Sequence, residues 1–176
     1  MNNIKWNCLF DNKTSQQKKS ALYDRACILM EVPDNIKKSV CIIANDIDPE
    51  VINVEAGGIE GAPHITVLYG VKDNVILSKY FKKPLLLKTD TKITYFDNDD
   101  TTVAKVAILS EELHDLHYLI KSFEPNSDDR LDYNPHMTIA YLQPNKRLEN
   151  DGFVSFSWVQ RSIELHLNGL VDKLTI

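Results

Sequence analysis

Two histidines and two threonines, set in near-identical surroundings, are the residues of this chain best suited to chemistry. In Pro63-His64-Ile65-Thr66-Val67-Leu68-Tyr69 and again in Pro135-His136-Met137-Thr138-Ile139-Ala140-Tyr141, Pro, His, Thr and Tyr fall at matching offsets and the other positions are apolar. An imidazole titrates near neutral pH and can give or take a proton. A hydroxyl two residues away can donate to a charged oxygen. One His-x-Thr carries no information, but two copies with matching flanks point to a paired site. Cleavage of a phosphodiester needs a base for the attacking oxygen, an acid for the leaving oxygen and donors for the equatorial oxygens. His64, His136, Thr66 and Thr138 could supply all of these.

Each motif has the composition of a buried strand, short and entered through a proline. Strict alternation predicts His64, Thr66 and Leu68 on one face and Ile65, Val67 and Tyr69 on the other. It likewise groups His136, Thr138 and Ala140 against Met137, Ile139 and Tyr141. Around these strands we expect a strand over 25–32, then a helix over 35–45 capped by Asp34. The Gly57–Ala62 loop leads into the first motif, where it either touches ligand or only connects. A helix over 73–82 is expected after Gly70. Strands over 85–95 and 102–109 follow, joined by the turn Asp97-Asn98-Asp99-Asp100, whose acids lack the spacing of a calcium loop. Ser110 opens a helix running to about Phe123. It carries His114 and His117 at a spacing that could hold a metal, although the plain amphipathic pattern favours the helix surface or flank. Residues 153–158 and a final stretch over 162–176, with a hairpin at Asn168-Gly169, complete the chain. In that stretch Ile163, Leu165 and Leu167 alternate with Glu164, His166 and Asn168. The polar face either opens to water or lines the cleft, so Glu164 is a candidate substrate-binding residue and His166 a weaker one.

On these motifs the chain resembles the 2H phosphoesterase superfamily, named for two His-x-Thr/Ser motifs, and the resemblance spans residues 25–176. Its first motif, Pro-His-Ile-Thr-Val-Leu-Tyr-Gly, is most similar to phage enzymes that cleave the cyclic oligonucleotide signals of bacterial antiviral (CBASS) defence. The resemblance implies an α+β fold that is bilobal and pseudo-twofold, with antiparallel sheets forming a central cleft and helices outside. It implies a metal-independent phosphodiesterase without a cofactor, acting on a small cyclic di- or trinucleotide, with His64, Thr66, His136 and Thr138 as the catalytic set. An RNA-end 2′,3′-cyclic phosphodiesterase and a non-catalytic nucleotide sponge remain alternatives. Tyr23, Trp158 and Tyr133 are candidates to stack on bases. Residues 1–24 form an N-terminal arm that can serve as a lid and bring Tyr23 to the ligand, and 25–176 a single domain.

With 176 residues, 43% hydrophobic and 26% charged, the chain suits a globular protein that buries a substantial interior. A net charge of −5 disfavours a coat for long nucleic acid, which needs a basic face. It leaves room for a small phosphorylated ligand held by a local pocket. The three cysteines, Cys8, Cys27 and Cys41, have no metal-type spacing, and their odd number suits reduced thiols in a cytoplasm. That would be the bacterial host's if the chain is phage-encoded. No secretory pattern or apolar run of membrane-spanning length is present. The oligomeric state is not legible.

Overall fold

The computed structural model describes residues 26–71, 75–124, 132–167 and 170–176. Tyr23, the N-terminal arm and the Asn168-Gly169 turn lie outside them. Strands β1 (Ala26–Glu31), β2 (His64–Val71), β3 (Leu85–Asp97), β4 (Thr102–Leu109), β5 (His136–Leu142), β6 (Ser157–Gln160), β7 (Ser162–Leu167) and β8 (Leu170–Thr175) form one sheet. Its order is β6-β3-β4-β5-β2-β1-β7-β8. Every paired neighbour is antiparallel. The motif strands β2 and β5 sit side by side at the centre. On one side lie β1, β7 and β8, and on the other β4, β3 and β6. This is the two-halved α+β arrangement expected.

Two helices accompany the sheet: α1 (Asp34–Asn45), which contacts β5, and α2 (Glu111–Phe123), which contacts β2 and β3. Helix α1 buries Ile36, Val40, Cys41 and Ala44. Its cap position is Pro33 and no side chain caps it, so Asp34 lies in the first turn, where its charge still opposes the dipole. Helix α2 starts as expected, with Ser110 Oγ accepting from the Leu113 amide. The helix expected over 73–82 is absent from the described part. Only a 3-10 turn, Leu77–Lys79, forms, with Val75, Leu77 and Phe81 buried one by one. The β-branched Val75-Ile76 pair favours extended backbone there.

The core joins both halves through Ile28, Met30, Ile65, Val67, Met137 and Ile139, each 2% exposed or less. Cys27 and Cys41 are buried thiols. Among the described residues no helix is long and apolar enough to cross a membrane.

Candidate active site

The two motif strands share only one ladder pair, Ile65 with Met137. This antiparallel register places position 64 opposite 138 and position 66 opposite 136. Each histidine therefore faces the threonine of the other motif across a gap of about 5 Å between Cβ atoms. All four side chains are half-buried and line one cleft of about 480 Å³.

Each imidazole is held the same way. His64 Nδ1 lies 3.0 Å from the Ala62 carbonyl and His136 Nδ1 lies 2.7 Å from the Asn134 carbonyl. A carbonyl only accepts, so Nδ1 must carry a proton in both rings. In the neutral ring the lone pair is then on Nε2, the nitrogen left able to take up a proton.

Beyond the threonines, strict alternation fails. Leu29 pairs with Thr66 and Ile28 with Leu68, which makes Val67 an extra residue in β2. Lys105 pairs with Thr138 and Ala104 with Ala140, which makes Ile139 extra in β5. The two bulges reverse the faces that follow. Leu68 and Ala140 are buried in the core, Leu68 at the cleft's edge, while Tyr69 and Tyr141 turn into the cleft. The repeated unit is thus His-x-Thr-x-x-Tyr. The matching tyrosines of the two motifs signalled it, but alternation assigned them to the wrong face. Burial holds the Tyr141 phenol above its ordinary pKa, with Glu60 adding to the rise and a hydrogen bond shared with Thr138 opposing it.

Once β2 and β5 part, their backbone groups need new partners. On the β5 side the loop before the first motif supplies them. Glu60 N donates to Ile139 O, Tyr141 N to Gly58 O and Asn53 N to Tyr141 O, at 2.7–2.9 Å. The Gly57–Ala62 loop is therefore a prop for β5, outside the cleft lining. Gly57 has φ +132°, and a Cβ there would stand 3.1 Å from the Tyr141 ring.

On the β2 side the partners are side chains. Tyr133 donates its hydroxyl to Thr66 O at 2.8 Å, and His117 Nδ1 lies 2.7 Å from Val67 O. The two rings stack 3.9 Å apart and nearly parallel, and His114 meets Tyr133 edge-on. His117 is accordingly 4% exposed, which corrects its assignment to the helix surface or flank. Tyr133, a candidate to stack on bases, lines the cleft with one ring face against His117, and its burial drives the phenol far above its ordinary pKa. Among the described residues no three His, Cys, Asp or Glu side chains converge as a metal site.

Trp158 stands on β6 outside the cleft lining, its Nε1 donating to Gln160 Oε1. Glu164 lies on the cleft face, because it pairs with Leu29 and Leu29 with Thr66. It is two strands out, about 10 Å from the Thr66 backbone, and does not line the cleft. Nor does it open to water: at 5% exposed, its carboxylate accepts from His166 Nε2 at 2.8 Å and Lys173 Nζ at 2.7 Å. Burial alone would raise its pKa, but these two donors outweigh burial and hold it at about 2. Lys173 also reaches Glu31 at 2.9 Å. At the far turn, Asp97 takes Arg147 and Thr102.

Solved structures share this architecture. Escherichia coli LigT, complexed with NADP+, superposes with a TM-score of 0.57 at 12% identity, over 86% of this chain and 94% of that one. The fold is that of the 2H phosphoesterases. Usb1 of Kluyveromyces marxianus is similar too, with a TM-score of 0.53 at 11% identity, over 89% of this chain and 100% of the other. The Thermus thermophilus protein TT0787 gives 0.51 at 14% identity, over 80% and 86%. No family model matches the sequence, and no curated protein matches it either.

Proposed function

We propose that the chain is a metal-independent phosphodiesterase that hydrolyses 3′–5′ bonds of cyclic di- or trinucleotide messengers, as a phage counter to CBASS signalling. The observation that carries the enzymatic part is the crossed register of the two motifs. It sets two Nδ1-anchored imidazoles and two hydroxyls around one cleft. With a phosphate between the histidines, the neutral ring takes a proton from the attacking oxygen at Nε2. The protonated ring gives one to the leaving oxygen from Nε2–H. Thr66 and Thr138 donate to the equatorial oxygens as their charge grows.

The cyclic-oligonucleotide substrate and the counter-defence role rest on the wording of the first motif and on a cleft large enough for a nucleotide. Glu164 and Tyr23 belong to this reading as substrate-binding residues. Glu164, ionised and on the cleft face, would accept from a base amino group in place of His166 or Lys173, which otherwise hold its carboxylate. A second reading, an RNA-end 2′,3′-cyclic phosphodiesterase, draws support from LigT structures solved with 3′-AMP and with phosphate.

The test is incubation with a panel of labelled cyclic di- and trinucleotides, and with RNA ending in a 2′,3′-cyclic phosphate, in EDTA. Hydrolysis of the cyclic oligonucleotides that disappears in His64→Ala and His136→Ala is expected. Cleavage of RNA ends alone favours the second reading, and intact ligand recovered from a tight complex makes the chain a sponge.

A further inference from the structure

The pseudo-twofold that relates the motifs is broken by what stands beside them. Outward from Thr66 and His64 are Leu29 and Glu31, and Glu31 is occupied by Lys173 at 2.9 Å and Lys37 at 3.8 Å. Outward from Thr138 and His136 are Lys105 and Ala107. Among the described residues Lys105 is the one lysine or arginine that lines the cleft. It is half-buried, and its ammonium lies 5.2 Å over the ring of Phe96. Phe96, 37% exposed, in turn stands edge-on to the His136 ring at 6.1 Å. Burial lowers the Lys105 pKa, and among the described residues no carboxylate is ion-paired with it, Asp132 being the one acid that shares its cleft. The described lysines of the Glu31 and Glu164 cluster, by contrast, are ion-paired.

A desolvated cation without a counter-ion, supported by an aromatic face and facing a cleft, is an anion site in waiting. It is displaced from the reacting centre. Its strand lies one spacing, about 4.8 Å, beyond β5 on the side away from β2. We propose that Lys105, held over Phe96, binds a second phosphate of an oligonucleotide whose first phosphate lies between His64 and His136. This rests on the phosphodiesterase reading and gives the phosphate that is not cleaved a place of its own. On the β1 side the equivalent positions are Leu29 and Glu31, which offer no cation, so the ligand is held in one orientation only.

Titration calorimetry tests this with a 5′-phosphorylated linear diadenylate, which carries two phosphates, and adenosine 3′-monophosphate, which carries one. Lys105→Met is expected to weaken the diadenylate about tenfold or more, the scale of a lost charge-assisted contact, and the mononucleotide less than twofold. Lys105→Arg should retain most of the affinity. A steeper salt dependence for the wild type than for Lys105→Met should accompany the loss. Equal weakening of both ligands, no weakening of either, or a wild type that binds diadenylate no better than the mononucleotide each overturn the inference. Unchanged Lys105→Met binding beside intact wild-type hydrolysis refutes this proposal alone. Normal two-phosphate binding without any hydrolysis refutes the phosphodiesterase reading alone.

Discussion

At the scale of single residues, the site depends on which ring nitrogen meets the ligand. Carbonyls at positions 62 and 134 hold Nδ1–H of each histidine, so both rings present the same nitrogen in the same tautomer. Turnover of the preferred cyclic nucleotide should fall by about 10²–10⁴-fold in His64→Ala and again in His136→Ala. Its pH profile in kcat/KM should be bell-shaped, one limb disappearing with each histidine. Thr66→Val and Thr138→Val should lower kcat more than they raise KM, since their donors matter most as charge develops. Glu164 makes a separate prediction about stability. Its folded pKa, about 2, lies below the ordinary 4.5, so its contribution is present above 4.5 and is lost as pH falls from 4.5 toward 2. Urea midpoints measured at pH 6 and pH 3 should drop for the wild type, and Glu164→Gln should flatten that drop while lowering the pH 6 value. The four motif residues were legible from spacing alone because duplication marks them. Lys105 and Phe96 were not, since their chemistry arises only when β4 and β3 lie beside β5.

At the scale of elements, the decisive feature is the pair of bulges. Alternation along β2 and β5 holds only as far as Thr66 and Thr138, and an extra residue then turns Tyr69 and Tyr141 inward. A bulge depends on what the neighbouring strand and loop can pair with, so no pattern within seven residues announces it. The same reason hid Tyr133 and His117. Each looked like an isolated aromatic or helix-flank residue until the parting of the motif strands left carbonyls for them to satisfy. Two substitutions probe these props. Tyr133→Phe leaves the ring stacked but strips the Thr66 carbonyl of its donor. About 1–3 kcal/mol of stability should be lost by urea denaturation, together with a fall in kcat. Gly57→Ala forces a Cβ against the Tyr141 ring at a backbone angle that side chains avoid, and should destabilise the protein by about 1 kcal/mol or more. By contrast, Lys83→Ala, which breaks an exposed pair with Glu112 at 2.9 Å, should leave the urea midpoint nearly unchanged.

At the scale of the whole molecule, the motif strands share one ladder pair, and the two halves are joined further by the 53–60 segment on β5 and by a shared interior. The α+β class was legible through the resemblance that the two motifs carry, while the central position of the motif strands is seen only in the sheet order. Which strands lie at the rim was not legible either, and β7 shows why. Its alternation is visible, yet whether Glu164 meets water or a buried ion cluster depends on β8 bringing Lys173 beside it. Ile65 and Met137, fully buried at the meeting point, should be costly to shorten. Ile65→Ala and Met137→Ala are each expected to lose about 2–5 kcal/mol in urea unfolding, and Ile65→Val about 0.5–1.5 kcal/mol. Activity in Ile65→Val should fall further than that modest loss explains, because the register across this pair sets each histidine against its threonine.

The histidine anchors also bear on how such a site tolerates drift. Both acceptors are peptide oxygens, which every amino acid possesses, so replacing the side chain of Ala62 or Asn134 removes neither. Ring orientation is thereby insulated from point changes in the loops that precede the two strands. Only an insertion, a deletion or a backbone-bending residue there would unseat it. A lineage under pressure to alter its target could vary the exposed positions of those loops, with Gly57 and Tyr133 kept, and retain the orientation of both rings.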